Sequence, residues 1–241
     1  MALQKKKWAI TSDKFLTLEQ VEALKNHLTS RRDLAIARGN DPQAIRDYYT
    51  IRAMLETGLR VSEFCDLLNE DLNGTKLNVK LGKGGKPRTI LLTRSTLQFF
   101  KEWQTVKARL GHDLSPQAPF FPSRYNKKYT RSGAQRRVKI VFAELRFPFR
   151  LSAHSLRHTY CSLLLSSGKV GIGAIRDNMG HHSIAVTNLY SHAIGDLSEI
   201  ELYPSRPAEW PSETPMKGKV KSLPNIISAF LQSTPAEVRY A

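Results

Sequence analysis

Cysteine is nearly absent: the 241 residues hold two, Cys65 and Cys161, each among aliphatic neighbours and not part of a CxxC pair. A disulfide framework and a cysteine-based zinc site are therefore not expected, and both residues read as small buried core side chains. Long apolar runs are missing too. No stretch approaches the ~20 consecutive apolar residues that a membrane span requires. The start, Met1 to Trp8, carries the basic Lys5-Lys6-Lys7 without the apolar segment of a signal peptide, so a cytoplasmic location is expected. Acidic residues are in short supply. Twenty-one Asp and Glu face thirty-seven Lys and Arg, a formal net charge of +16, which points to a polyanionic partner such as nucleic acid or an acidic membrane surface. The excess is uneven: residues 1–193 hold thirty-two basic and fifteen acidic side chains, a net +17, whereas 194–241 hold five and six. With 41% apolar and 24% charged residues, wholesale disorder and a fibrous repeat are both excluded. No internal repeat is found.

Helical spacing dominates what is present. Thr17 reads as an N-cap, with Gln20 three residues later in a capping box, so a helix opens the fold. After a polar loop, Arg38 to Pro42, residues 43–59 carry Ile45, Tyr48, Tyr49, Ile51, Met54 and Leu55 on a wide apolar face, the mark of a core helix. The period then changes. Lys76 to Leu81 alternates polar and apolar, Gly82-Lys83-Gly84-Gly85-Lys86-Pro87 interrupts it, and Arg88 to Leu92 resumes as an extended run, which predicts a hairpin with a doubly basic tip. Further helices are expected over 95–110, 132–146, 156–166 and 172–179, the last closed by Gly180 as a C-cap, and Ser183 caps one more through about Tyr190. Residues 204–215 contain four prolines and read as a linker, beyond which Leu223, Ile226, Ile227, Phe230 and Leu231 mark an amphipathic helix. The expected fold is mixed: mainly α, with a small antiparallel β-hairpin or sheet.

Several segments carry residue types suited to chemistry. In Thr57-Gly58-Leu59-Arg60-Val61-Ser62-Glu63, a cation near the end of an apolar helix has a carboxylate three residues on, consistent with a buried pair or with a surface ion pair. The Lys83 tip lacks the spacing of a nucleotide-binding P-loop, which leaves a solvated turn or a mobile basic finger that reaches a phosphate. In His154-Ser155-Leu156-Arg157-His158, positions i, i+3 and i+4 share a helix face, so two imidazoles are expected to flank one guanidinium. A zinc protease motif would need Glu after the first His and finds Ser155, so an anion is the better ligand for Arg157, whose planar fork suits phosphate. Met179-Gly180-His181-His182-Ser183 precedes Tyr190, which taken alone is a core tyrosine.

Taken together and in this order, Arg60, Lys83, the His-Ser-Leu-Arg-His segment, the Gly180-His181 pair and Tyr190 nine residues beyond His181 closely resemble the catalytic domain of tyrosine recombinases, the phage-integrase and Xer-like family. The likeness spans about residues 13–192, with Met179 where the family pattern commonly has Leu. It implies a site-specific DNA recombinase, integrase- or invertase-like, in which Tyr190 attacks a phosphodiester to form a 3′-phosphotyrosyl bond and free a 5′-hydroxyl. It further implies that Arg60 and Arg157 neutralise the charge at phosphorus, that His154 accepts the phenolic proton, that Lys83 protonates the leaving oxygen, and that His181 hydrogen-bonds the phosphate. Glu63, His158 and His182 are expected to support these groups, and Lys86 and Arg88 to contact DNA. No metal, nucleotide or other cofactor is implied. The expected partners are double-stranded DNA, three further copies in a homotetramer, and accessory DNA-bending proteins, with no membrane.

The expected organisation is a basic leader over 1–12, the catalytic domain over 13–193, and a linker with the amphipathic helix over 194–241 that docks on its own body or on a neighbouring protomer. Members of the family commonly carry a separate helical DNA-binding domain, but only 59 residues precede Arg60. A catalytic-domain-only member, as in fimbrial-switch invertases, is the expectation, with strongly salt-dependent DNA binding. Two other functions compete: a DNA-relaxing enzyme resembling type IB topoisomerases, and a DNA-binding regulator that has lost activity.

Overall fold

A computed structural model describes residues 12–80, 87–168 and 170–180. Five helices start where an N-cap side chain offers an oxygen to orphan backbone donors. Thr17 Oγ1 accepts from the Gln20 backbone while the Gln20 side chain accepts from the Thr17 N–H, and helix α1 runs over Leu18–Arg38 to a left-handed Gly39. Asp41 caps α2 (Pro42–Thr57), with Pro42 in the first turn where no N–H is needed. Thr93 caps α4 (Arg94–Arg109), Thr130 caps α5 (Arg131–Glu144), Ser152 caps α6 (Ala153–Ser166), and α7 (Ile172–Met179) ends on Gly180 in the left-handed region, as expected. The start of α6 falls three residues earlier than the apolar spacing suggests, because Ser152, a polar residue outside that pattern, supplies the cap.

Two local features depart from the sequence reading. The core helix does not carry Arg60 near its end. Gly58, at φ 62°, terminates α2, and Arg60 becomes the extended N-cap residue of a separate short helix, α3 (Val61–Asp66). The hairpin is also joined by a third strand. Strands β1 (Leu72–Asn73), β2 (Lys76–Val79) and β3 (Arg88–Leu91) form an antiparallel sheet in the order β1-β2-β3, with Leu77 opposite Ile90 and Val79 opposite Arg88. Two residues are too few to show alternation, which hides β1 in the sequence.

The main core lies between α1, α2, α4, α5, α6 and one face of the sheet, with Leu77, Val79 and Ile90 contributed by the strands. Five of its aromatic members, Tyr49, Phe100, Trp103, Phe120 and Phe121, pack ring on ring, and Trp103 Nε1 donates to the Phe120 carbonyl at 2.8 Å. A smaller cluster of Phe15, Cys161, Ile175 and Met179 seats α7 against α6. Both cysteines are buried and unpaired, and burial pushes the Cys65 thiol up to about 11 and the Cys161 thiol up to about 12, far from a reactive thiolate. Among the described residues, no helix is long and apolar enough to cross a membrane.

Candidate active site

The first component is the α2–α3 junction. A left-handed glycine lets the chain leave α2 without a Cβ penalty, and here the space is also needed: a Cβ on Gly58 would lie 2.3 Å from the Tyr160 ring of α6. Three residues beyond Arg60, Glu63 reaches back to accept from the Arg60 backbone N–H at 2.8 Å, and its other oxygen accepts from Arg60 Nη1 at 2.7 Å. The carboxylate is buried, and the same oxygens also accept from Arg88 of β3, Nη1 at 2.7 Å and Nη2 at 2.8 Å. Burial alone would raise the carboxyl, but the hydrogen bonds and charge of Arg88 together with the bonds from Arg60 win, and it is held down at about 2. Glu63 is therefore an anion bonded to two guanidinium groups.

The second component is the first turn and a half of α6, which carries His154, Arg157 and His158. Arg157 and His158 are buried and His154 is exposed. The two imidazoles do not flank the guanidinium as the shared face predicts. They meet each other edge to face with ring centroids 4.5 Å apart, while Arg157 turns inward and donates through Nη1 to the Gly58 carbonyl at 2.6 Å and through Nη2 to the Met179 carbonyl. The His154 residue is exposed, yet its ring packs against His158, and the imidazole is lowered from its ordinary value by this partial desolvation and by the positive charges of Arg157 and Arg60. This direction favours the neutral imidazole, whose unprotonated ring nitrogen can accept a proton.

The third component is the C-terminal end of α7, where orphan carbonyls and the negative end of the helix dipole favour cations. Gly180 N–H caps the Arg176 and Asp177 carbonyls. The next three carbonyls each accept from an arginine on a different element: Asn178 from Arg88 Nε at 2.9 Å, Met179 from Arg157, and Gly180 from Arg60 Nη2 at 3.0 Å. One helix end thus gathers three guanidinium groups separated by up to ninety-seven residues of chain. Among the described residues Glu63 is the carboxylate seen bonded to two of these three guanidinium groups, which leaves positive charge able to hold an oxyanion beside the His154 imidazole.

The structure brings Arg60, Glu63, Arg88, His154, Arg157 and His158 together, while Lys83, Lys86, His181, His182 and Tyr190 lie outside the described residues, as do the leader to residue 11, the Ser183 helix, the linker and the tail helix. Arg88, expected on the DNA-facing surface, has only 10% of its side chain exposed and directs Nε, Nη1 and Nη2 into the protein. The signal for this was available: Arg88 stands two residues from buried Ile90 on the same strand, hence on the same face. Tyr160, not singled out in the sequence, closes on Gly58 and accepts from Asn178 Nδ2 at 2.8 Å. Among the described residues, no group of three or more His, Cys, Asp or Glu is placed to hold a metal ion.

Comparison with known proteins places this geometry in context. The family model described as the phage integrase family matches residues 14–195. The chain is 30% identical over 192 residues to tyrosine recombinase XerC of Caldanaerobacter subterraneus subsp. tengcongensis, covering 79% of this chain and 50% of that protein. Among solved structures it is similar in fold to XerA recombinase, at 21% identity and TM-score 0.60 over 82% of this chain and 64% of that one. It is also similar in fold to XerH site-specific recombinase in a post-cleavage complex with a palindromic difH substrate, at 20% identity and TM-score 0.61 over 77% and 51%. The chain spans about half the length of the curated relatives it matches.

Proposed function

Because this chain belongs to the phage integrase family, we propose that it is a site-specific DNA recombinase that breaks and rejoins strands through a tyrosine. The observation that supports this most directly is the convergence of Arg60 and Arg157 on adjacent carbonyls at the end of α7, immediately before His181 in the chain. In this reading the Tyr190 phenolic oxygen attacks a backbone phosphorus, the P–O5′ bond breaks, and a 3′-phosphotyrosyl bond forms. Negative charge grows on the non-bridging oxygens as phosphorus becomes five-coordinate. Arg60 and Arg157, already fixed by carbonyls and by Glu63, meet that charge without reorganising, which is where preorganised cations lower a barrier most.

A phenol of pKa ~10 needs a proton acceptor at neutral pH. His154 takes that proton, a role supported by an imidazole that desolvation first, and then the charges of Arg157 and Arg60, lower from its ordinary value. Lys83 delivers a proton to the departing 5′-oxygen and His181 hydrogen-bonds the phosphate. The covalent bond conserves the phosphodiester energy, so a 5′-hydroxyl from another strand can attack it and restore the backbone without ATP. Four copies acting on two duplexes, with accessory DNA-bending proteins as further partners, complete the exchange.

The test is covalent capture. The protein and a Tyr190→Phe variant are incubated with fragmented DNA from the source organism in EDTA and denatured, and protein-linked fragments are sequenced at their ends. Adducts formed by the wild type and lost in the variant, with clustered ends, are the expected result. Adducts with scattered ends together with plasmid relaxation would shift the reading to a relaxing enzyme, and no adduct from either protein would shift it to a binding module.

A further inference from the structure

Arg88 has all three guanidinium nitrogens engaged within the protein, and the proposed strand exchange does not use it. We propose that Arg88 is a positioning residue: it acts through Glu63 to hold the Arg60 guanidinium in place, and it does not contact DNA. The inference rests on the recombinase reading for the role of Arg60.

Four observations carry it. Arg88 Nη1 and Nη2 span both oxygens of Glu63 at 2.7 and 2.8 Å, while Nε donates to the Asn178 carbonyl at 2.9 Å, so all three nitrogens are committed within the protein. Glu63 Oε1 is shared: Arg60 Nη1 and Arg88 Nη1 each lie 2.7 Å from it. The Arg88 side chain lies close beneath the backbone at Gly180, where a Cβ would come within 3.1 Å of its Cδ. That same glycine supplies the carbonyl that holds Arg60 Nη2 at 3.0 Å. Arg88 therefore braces both supports of Arg60, the carboxylate of Glu63 and the chain at Gly180.

The geometry requires arginine. A lysine ammonium is a point donor on a flexible stem, and it cannot span two carboxylate oxygens and a carbonyl in one plane. Without the fork, the Glu63 carboxylate is free to turn towards Arg60 alone and draw it away from Gly180. A misplacement of about 1 Å at a transition-state cation costs up to about 100-fold in rate.

Arg88→Lys separates the alternatives. Expected are a 10- to 100-fold slower covalent adduct on a captured site, by analogy with other misplacements, duplex affinity within about twofold of wild type, and an unchanged slope of log affinity against log salt. In nuclear magnetic resonance spectra of the free protein, the side-chain Nε–Hε cross-peak of Arg60, assigned by its loss in Arg60→Lys, moves. Adding Arg88→Lys to Arg60→Lys costs little further rate, because the brace has nothing left to hold. A salt slope reduced by about one unit identifies a phosphate contact and overturns the proposal. So does a wild-type adduct rate with the Arg60 cross-peak unmoved. Should the wild type form no adduct, the recombinase reading alone fails, and the cross-peak still decides whether Arg88 positions Arg60. Arg88→Met, which keeps the stem and removes every donor, repeats the comparison if Arg88→Lys does not fold.

Discussion

Arg157 donates through Nη1 to the carbonyl oxygen of Gly58 at 2.6 Å, so the residue that ends α2 also anchors an arginine of α6 ninety-nine positions away. The glycine is needed twice at this position. Its φ of 62° lies in the left-handed region that an L side chain enters only at a cost, and Tyr160 occupies the space a Cβ would take. Gly58→Ala is expected to destabilise the protein by about 2 kcal/mol or more, the left-handed penalty and the clash acting together. Adduct formation should fall with it, because the carbonyl that orients Arg157 moves. Urea unfolding within about 0.5 kcal/mol of wild type would mean that Tyr160 swings aside at little cost.

Glu63 links stability to pH. Its carboxyl is held at about 2 in the folded protein against an ordinary 4.5, so the native state favours the anion. The resulting stabilisation is complete above pH 4.5 and is lost as pH falls towards 2. Its full size is on the order of 3 kcal/mol. Urea unfolding of the wild type and Glu63→Gln should show a constant gap above pH 4.5 that narrows between 4.5 and 2. A gap that stays constant to pH 2 would show that the two arginines do not hold the carboxylate.

His154 should titrate low. Desolvation comes first and the charges of Arg157 and Arg60 add to it, so the imidazole takes its proton at a pH below its ordinary 6.5. Following the ring proton by nuclear magnetic resonance, with His154→Gln for assignment, should give a midpoint under 6.5. Arg60→Gln should bring the midpoint back up by removing one nearby cation. A wild-type midpoint above 6.5 would rule out His154 as a neutral acceptor poised beside two arginines.

Salt should govern duplex binding. Residues 1–193 carry a net +17, and cations that pair with phosphates release counterions. If about six phosphates are neutralised, affinity for a synthetic duplex falls by about 10³ between 50 and 200 mM KCl, which a fluorescence titration measures directly. A flat response would place the positive surface away from DNA.

Local rules made much of the fold legible. The Thr17–Gln20 capping box and Gly180 after an apolar run are short-range features that formed where the pattern placed them, and the alternation of Lys76 to Leu81 gave a strand over Lys76–Val79. The family was legible for a related reason: Arg60, the His154-to-His158 segment and Tyr190 nine residues beyond His181 are side-chain identities at set spacings, which a linear chain displays in full.

What the tertiary structure decided is where those side chains point. Arg60 belongs to the start of α3 and not to α2, Arg88 faces Glu63 and not solvent, and the three arginines are organised by the carbonyls of Asn178, Met179 and Gly180. Every residue has a backbone carbonyl, so its presence in the sequence carries no signal. The end of α7, packed against α6 and β3, aims those three oxygens at cations from distant parts of the chain.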